Sequence, residues 1–409
     1  MKKIFINPHS QSTASQLLTS QLPLQPRVIR LHRASGFTLI ELMVALVLGL
    51  IVTAAAVQLF VGGILSSRLQ QSTAEIQDSG LFGLDYVVKD IRLANQGNIT
   101  NLELNDRTPY GGIVLTGAVA PPPVTTPPTP VIPTNFIPKV GASSYIDDAL
   151  LSRGQGDPVS STNNFWKGLT NVTLQDSATP PATIASPVSD QLTIQFVAPA
   201  NMPNCEGVNV LAGDLVVQRY FLRPDANGAA TDYALACDAN TPAATASAVN
   251  ARPDSTTEML GLGDAGQIVI PRVDHFHVLF GVKTTTTTKV TDTSRVISTA
   301  TSPPNPNTTI TDRFAYYTIP QYRTAAAAAR TGSTSTTSGT VTTDVKITAR
   351  IVSVQTSILV RSANNAQNTA INPSQSHIML DQIATPTSTA RFQRRAYSTT
   401  VALRNAMGE

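Results

Sequence analysis

Charge is scarce in this chain. Only 13% of its 409 residues are Asp, Glu, Lys or Arg, while 42% are hydrophobic. That is ample for a core, but leaves a surface poor in charge. The formal charge of +3 also misleads. Lys2, Lys3, Arg27, Arg30 and Arg33 lie in the first 36 residues, which hold no acid; subtracting those five from 29 basic residues leaves 24 against 26 acidic ones, net −2. Without a basic face there is no electrostatic footprint for nucleic acid, and no direct nucleic-acid binding is expected. Cysteine is nearly absent, with Cys205 and Cys237 alone, no CxxC, and no His close to either in sequence. Free thiols or metal ligands are the alternative reading, but outside the cytoplasm such a pair reads first as a disulfide. Closing that loop is worth roughly 3–4 kcal/mol in the chain-entropy model. No GxSxG elbow or other nucleophile–base pattern occurs, so no enzyme is expected. No internal repeat is present.

One long apolar run stands out. Residues 35–60 read SGFTLIELMVALVLGLIVTAAAVQLF, and from Phe37 to Leu65 only Glu41 is charged. About 20 residues suffice to cross a bilayer. Arg27, Arg30 and Arg33 all precede the run, which places the N-terminus inside and the remainder outside. A secretory signal peptide cleaved near Thr53-Ala54-Ala55-Ala56 is the competing reading. The carboxylate and the long polar head speak against it. An acid at bilayer depth costs roughly 2.5–3.5 kcal/mol or more. Glu41 therefore calls for a partner that neutralises it when several such helices bundle.

Beyond the run, Leu65, Leu69, Ser72, Ile76, Gly80, Leu84, Val87 and Ile91 recur at spacings of three and four. They predict one helical stripe packed on a globular domain. Arg68, Glu75, Asp78, Asp85, Lys89 and Asp90 are placed on the opposite face, with Asp85 and Lys89 as an i,i+4 pair. Gly62-Gly63 would serve either a local bend or close helix packing. Asn95-Gln96-Gly97 predicts the helix end. Runs rich in Val, Ile, Thr and aromatics predict strands at 191–197, 215–222, 267–270, 276–282, 314–319, 345–360 (two strands or one bent one) and 396–403. Low-complexity stretches near 118–138, 284–309 and 324–343 read as surface insertions. The expected fold is α+β, with a 1–36 leader, a 37–96 helix (37–65 in the membrane or filament core) and a 97–409 antiparallel β-domain.

Four patterns invite chemistry and are read more plainly. Gly261-Leu262-Gly263-Asp264-Ala265-Gly266 fits GxGxxG, but a strand-like run follows where a dinucleotide site needs a helix. His275 and His277 alternate onto one face; a metal would need a third ligand nearby, such as His377 or an Asp, and a wet strand face is the reading preferred. Asp147-Asp148 and Gly154-Gln155-Gly156-Asp157 lack EF-hand spacing and read as a loop. Trp166 reads as a core anchor rather than a sugar platform. No cofactor or metal is expected.

Gly36 and Phe37-Thr38-Leu39-Ile40-Glu41 resemble the class III signal of type IV pilins and pseudopilins, although the leader is longer than is usual there. The resemblance implies cleavage after Gly36 by a prepilin peptidase and N-methylation of Phe37. It also implies pairing of Glu41 with the Phe37 amine of a neighbouring subunit. The helix at 69–94 and the segments 190–196 (DQLTIQF), 269–281 (VIPRVDHFHVLFG), 351–362 (IVSVQTSILVRS) and 395–405 (RAYSTTVALRN) are similar to PilW-type minor pilins. This implies a type IV pilin-like fold and a subunit of the pilus tip or initiating complex. Such a subunit primes assembly and supports twitching motility, adhesion and DNA uptake. The partners implied are other minor pilins, the major pilin, prepilin peptidase and the inner membrane. The location implied is the inner membrane, with the β-domain periplasmic, and then the pilus. A J-type pseudopilin of type II secretion and a tip adhesin are the alternatives.

Overall fold

The computed structural model describes residues 36–98, 103–117, 133–140, 145–159, 164–229, 231–254, 256–292, 307–365 and 371–406. The leader up to Ser35, most of the 118–138 stretch and the centre of the 284–309 stretch lie outside them. The chain divides into two units, one ending at Phe60 and one beginning at Val61. Helix α1 spans Leu39–Gln77. A π-helical turn, Asp78–Phe82, follows it, and then α2, Gly83–Leu93.

From Leu39 to Phe60 the described part of the first unit is helix, and its apolar side chains there are all exposed. In the second unit the helical stripe is buried as its period demands. Ser72, Ile76, Gly80, Leu84, Val87 and Ile91 are covered, while Asp85 and Lys89 stay exposed as an i,i+4 ion pair at 3.6 Å. The stripe would drift across two helical segments; a single π turn, one residue wider per turn, coincides with the place where it crosses the sheet. Two glycines allow the approach there. A Cβ at Gly80 would lie 2.2 Å from the Tyr397 ring, and one at Gly83 would lie 2.6 Å from Ile270. The helix ends as its sequence announces: Asn95 adopts φ +68° and Gly97 φ +79°.

Asp90 departs from expectation. It is 8% exposed and accepts a hydrogen bond from the hydroxyl of fully buried Tyr220. Position 90 neighbours the apolar stripe closely enough to be drawn in, and the tyrosine supplies the partner that a buried carboxylate requires.

Among the described residues, thirteen strands form the three larger sheets of the β-domain. In chain order they are β1 (Val172–Asp176), β2 (Thr183–Ile184), β3 (Leu192–Val197), β4 (Leu215–Pro224), β5 (Tyr233–Ala239), β6 (Gln267–Ile270) and β7 (Val273–Asp292), followed by β8 (Asn307–Tyr317), β9 (Thr334–Ser338), β10 (Val341–Arg361), β11 (His377–Met379), β12 (Gln382–Pro386) and β13 (Arg394–Ala402). One antiparallel sheet runs β6-β5-β4-β3. A second runs β8-β7-β10-β9, with β13 also on β10. A third, smaller sheet runs β11-β12-β1-β2. The main core lies between the helical stripe, the first sheet and the face of the second that carries Phe276, Val278, Phe280 and Val282.

Helix α3 (Ile319–Gly332) covers the same face of the second sheet, with Tyr322 edge-on to Phe280 at 5.8 Å. The predicted strand 314–319 stops at Tyr317, because Thr318 begins a capping box. Its hydroxyl accepts from Gln321 N–H, the Gln321 side chain accepts from Thr318 N–H, and Pro320 fits the first turn. The alanine run from 325 is therefore helix, not loop. Residues 284–292 and 307–311 are also more regular than a low-complexity insertion. Residues 284–290 pair with 307–313 as an antiparallel ribbon, since threonine is β-branched and favours extended backbone. The stretch 345–360 is one strand with a register shift beside Gly281. Cys205 and Cys237 are disulfide-bonded, tying the loop before residue 209 to β5.

Candidate assembly interface

The amino-terminal junction is open. Gly36, Phe37 and Thr38 precede the helix without regular structure, no described residue lies within 4 Å of a Cβ built on Gly36, and Phe37 is 83% exposed. Thr38 starts the helix. Its carbonyl accepts from Glu41 N–H at 3.1 Å and from Leu42 N–H at 3.2 Å, and its hydroxyl accepts from Glu41 N–H at 3.3 Å. Glu41 thus sits in the first turn, where the helix dipole favours a negative charge. Its carboxylate has no basic side chain from the described part of its own unit to pair with. From Leu39 to Phe60, Thr53 returns its hydroxyl to the carbonyls of Gly49 and Leu50. That is how a hydroxyl is satisfied on a helix facing lipid. Helix α1 is long and apolar enough to cross a membrane.

In the second unit the outward face of the π turn and α2 carries Leu81, Phe82 and Tyr86, exposed by 62%, 69% and 38%. Phe82 and Tyr86 border an open groove whose other wall includes Cys205, Glu206 and Val269. A larger apolar exposure lies on β8, where Ile310, Phe314 and Tyr316 share one face.

The catalytic-looking patterns resolve into structure. The glycine-rich loop at 261–266 leads into β6, and Gly263 N–H donates to Asp238. Asp147 caps a short helical turn, Asp148 pairs with Arg153 at 2.8 Å, and Asp157 pairs with Arg323 at 3.1 Å. Trp166 is half-buried and donates its indole N–H to Ser189 carbonyl.

The histidines are not on a wet face, because the third sheet covers them; His275 is 0% and His277 1% exposed. His275 Nδ1 meets the hydroxyls of Thr170 and Ser189 at 2.9 and 3.0 Å. His277 Nδ1 lies 2.7 Å from Asp190, and its Nε2 lies 2.7 Å from Asp381. These contacts, not His377, complete the pair. Burial alone would lower the His277 pKa, but the two carboxylates outweigh it and raise it to about 9. Burial and the neighbouring charge on His277 push His275 down to about 3. The arrangement is an imidazolium clamp joining β7 to the turn of the small sheet. Sequence reasoning missed it because Asp190 and Asp381 are 87 and 104 residues away from His277.

A glycine junction, a capped apolar helix with a single early acid, and a disulfide-stapled antiparallel domain are therefore the parts to compare with known proteins. Residues 31–57 match the prokaryotic N-terminal methylation motif, and residues 219–405 match the family described as Type IV Pilus-assembly protein W. The chain is thus similar to PilW-type pilins from β4 to the end of β13, behind a matching N-terminal methylation motif. Among solved structures it is similar to the type IV-like pilin from Thermus thermophilus, at 11% identity over 58% of this chain and 86% of that one, with a TM-score of 0.24. No curated protein matches the sequence.

Proposed function

We propose that this chain is a minor pilin that joins the initiation or tip complex of type IV pili and promotes their assembly. The observation that carries the reading is the run of outward-facing, mostly apolar side chains from Phe37 to Phe60, in which Glu41 is the one charge. Such a surface is stable in lipid, and then in a bundle of similar helices. Cleavage after Gly36 frees an amine on Phe37, which is then methylated. In the bundle, Glu41 of one subunit pairs with the Phe37 amine of a neighbour, which removes the cost of an isolated acid in an apolar setting. The basic residues ahead of the span put the β-domain in the periplasm before assembly and on the cell surface afterwards. Partners are other minor pilins, the major pilin and the prepilin peptidase. Twitching, adhesion and DNA uptake follow from the filament and need no nucleic-acid site on this subunit.

The test is surface piliation in a deletion strain, with and without the retraction motor. Pili that vanish, and return in smaller numbers when retraction is blocked, support priming. Unchanged pili in both strains sink the reading, and lost enzyme secretion with intact pili moves the chain to the pseudopilins. At the residue level, Glu41→Val should leave the protein in the membrane but reduce its recovery in sheared pili by about tenfold or more, read by immunoblot of the two fractions.

A further inference from the structure

We propose that β8 is a docking edge that receives an extended strand from the β-domain of a different pilin subunit; this rests on the minor-pilin reading. Strand β8 is the outermost strand of the second sheet, and among the described residues only β7 pairs with it. Positions 307–316 are all exposed. Sheet edges are normally blunted by lysine, proline, bulges or short length, because a free row of N–H and C=O groups templates another strand. This edge is eleven residues long and holds no lysine, glycine or proline. Its two charges are Asp312 and Arg313. Asp312 is already committed within the sheet, to Lys283 at 2.7 Å and to the Thr285 hydroxyl at 2.7 Å. Arg313 lies on the opposite face, across from Thr284.

The edge also carries a reading frame. Ile310, Phe314 and Tyr316 project on the face of Asp312, at 64%, 69% and 53% exposure. A strand added there gains main-chain hydrogen bonds along its length and apolar contacts at alternate positions.

A second copy of this chain is a poor occupant. Two β8 edges joined by a two-fold axis normal to the sheet keep their faces aligned, so residues with numbers of equal parity stand opposite one another. Asp312 would then meet positions such as 310, 312 or 314, and Arg313 would meet 311, 313 or 315. Arg313 never reaches the acid, and the central registers set like charges against each other. That antiparallel pairing of two copies is disfavoured by charge, and the complementary strand is assigned to another pilin subunit. It carries a carboxylate opposite Arg313 and apolar residues opposite Ile310 and Phe314.

The experiment places a photo-crosslinking residue at Thr311 of the full-length chain, in cells assembling the filament, with Thr337 on the far edge as control. The expected product is a crosslink mapped by mass spectrometry to one strand of another pilin β-domain. Arg313→Glu should lower its yield by about tenfold or more, Arg313→Lys should retain it, and exchanging the mapped carboxylate for lysine should restore it in the Arg313→Glu background. A crosslink to a second copy of this chain overturns the proposal. So does a yield no higher than at Thr337, or one indifferent to Arg313→Glu. The deletion-strain piliation assay judges the minor-pilin reading separately, whichever crosslink appears.

Discussion

His277 is the side chain whose environment most changes its chemistry. Its folded pKa of about 9 stands above the ordinary value of 6.5. A raised pKa means that the folded state holds the proton more tightly. The stabilisation is fully present below pH 6.5 and is lost as pH rises through 9. The unfolding free energy of the detergent-solubilised protein should fall across this window by an amount on the order of 3 kcal/mol, and the melting temperature with it. His277→Gln should remove that slope, and a slope that persists in the variant would assign it elsewhere. The clamp was invisible in the sequence, where alternation alone suggested a solvated pair; what buries the two rings is a sheet whose strands arrive from residues 172–176 and 382–386. By contrast, Gly36 to Glu41 needed no distant partner to be recognised. Its chemistry is local, since a helix start, one acid and an apolar run are all written within a few residues.

Among the elements, the helix was the most legible and the threonine ribbon the least. An apolar period of three and four survives from Ser72 to Ile91 because one face must stay covered over the whole length. Asp90 broke the rule, its acid hidden by a tyrosine from β4. In the ribbon, period two cannot be read from a run of five threonines, and an alanine-rich helix looks like low complexity until Thr318 and Gln321 are recognised as its cap. The helix also depends on closeness that composition does not reveal. Gly80→Ala should destabilise the domain by about 1–3 kcal/mol, because the added methyl would meet the Tyr397 ring. Most of that loss should disappear in the Gly80→Ala, Tyr397→Leu double variant, measured by denaturant unfolding. Equal losses in both would mean that the ring is not the obstacle.

For the whole molecule, the disulfide joins the loop carrying Cys205 to the first sheet, beside the groove under Phe82 and Tyr86. Replacing both cysteines by serine should lower unfolding free energy by roughly 3–4 kcal/mol, read by urea titration under oxidising conditions. If the variant matched the parent, the loop would be held by packing alone. The pairing itself could be read from a count of two, whereas the strand that receives it, β5, was not predicted. Its Tyr-Ala-Leu-Ala-Cys-Asp-Ala sequence has small and polar residues where a strand signal expects branched ones.

The second sheet has a further consequence. At their root, β7 and β10 have no freedom of register: Phe276, Val278 and Phe280 face the core, and His277 is held on the other side. At their tip, Thr284 to Thr288 would look the same on either face. The threonines of β7 add little to the alignment of the tip, which follows the root and contacts such as that of Thr285 with Asp312. The tip therefore behaves as a telescoping arm. Taking out two residues from each strand draws the end in by about 7 Å while every buried side chain keeps its place. Related chains are free to vary how far this arm extends without renegotiating the fold that carries it.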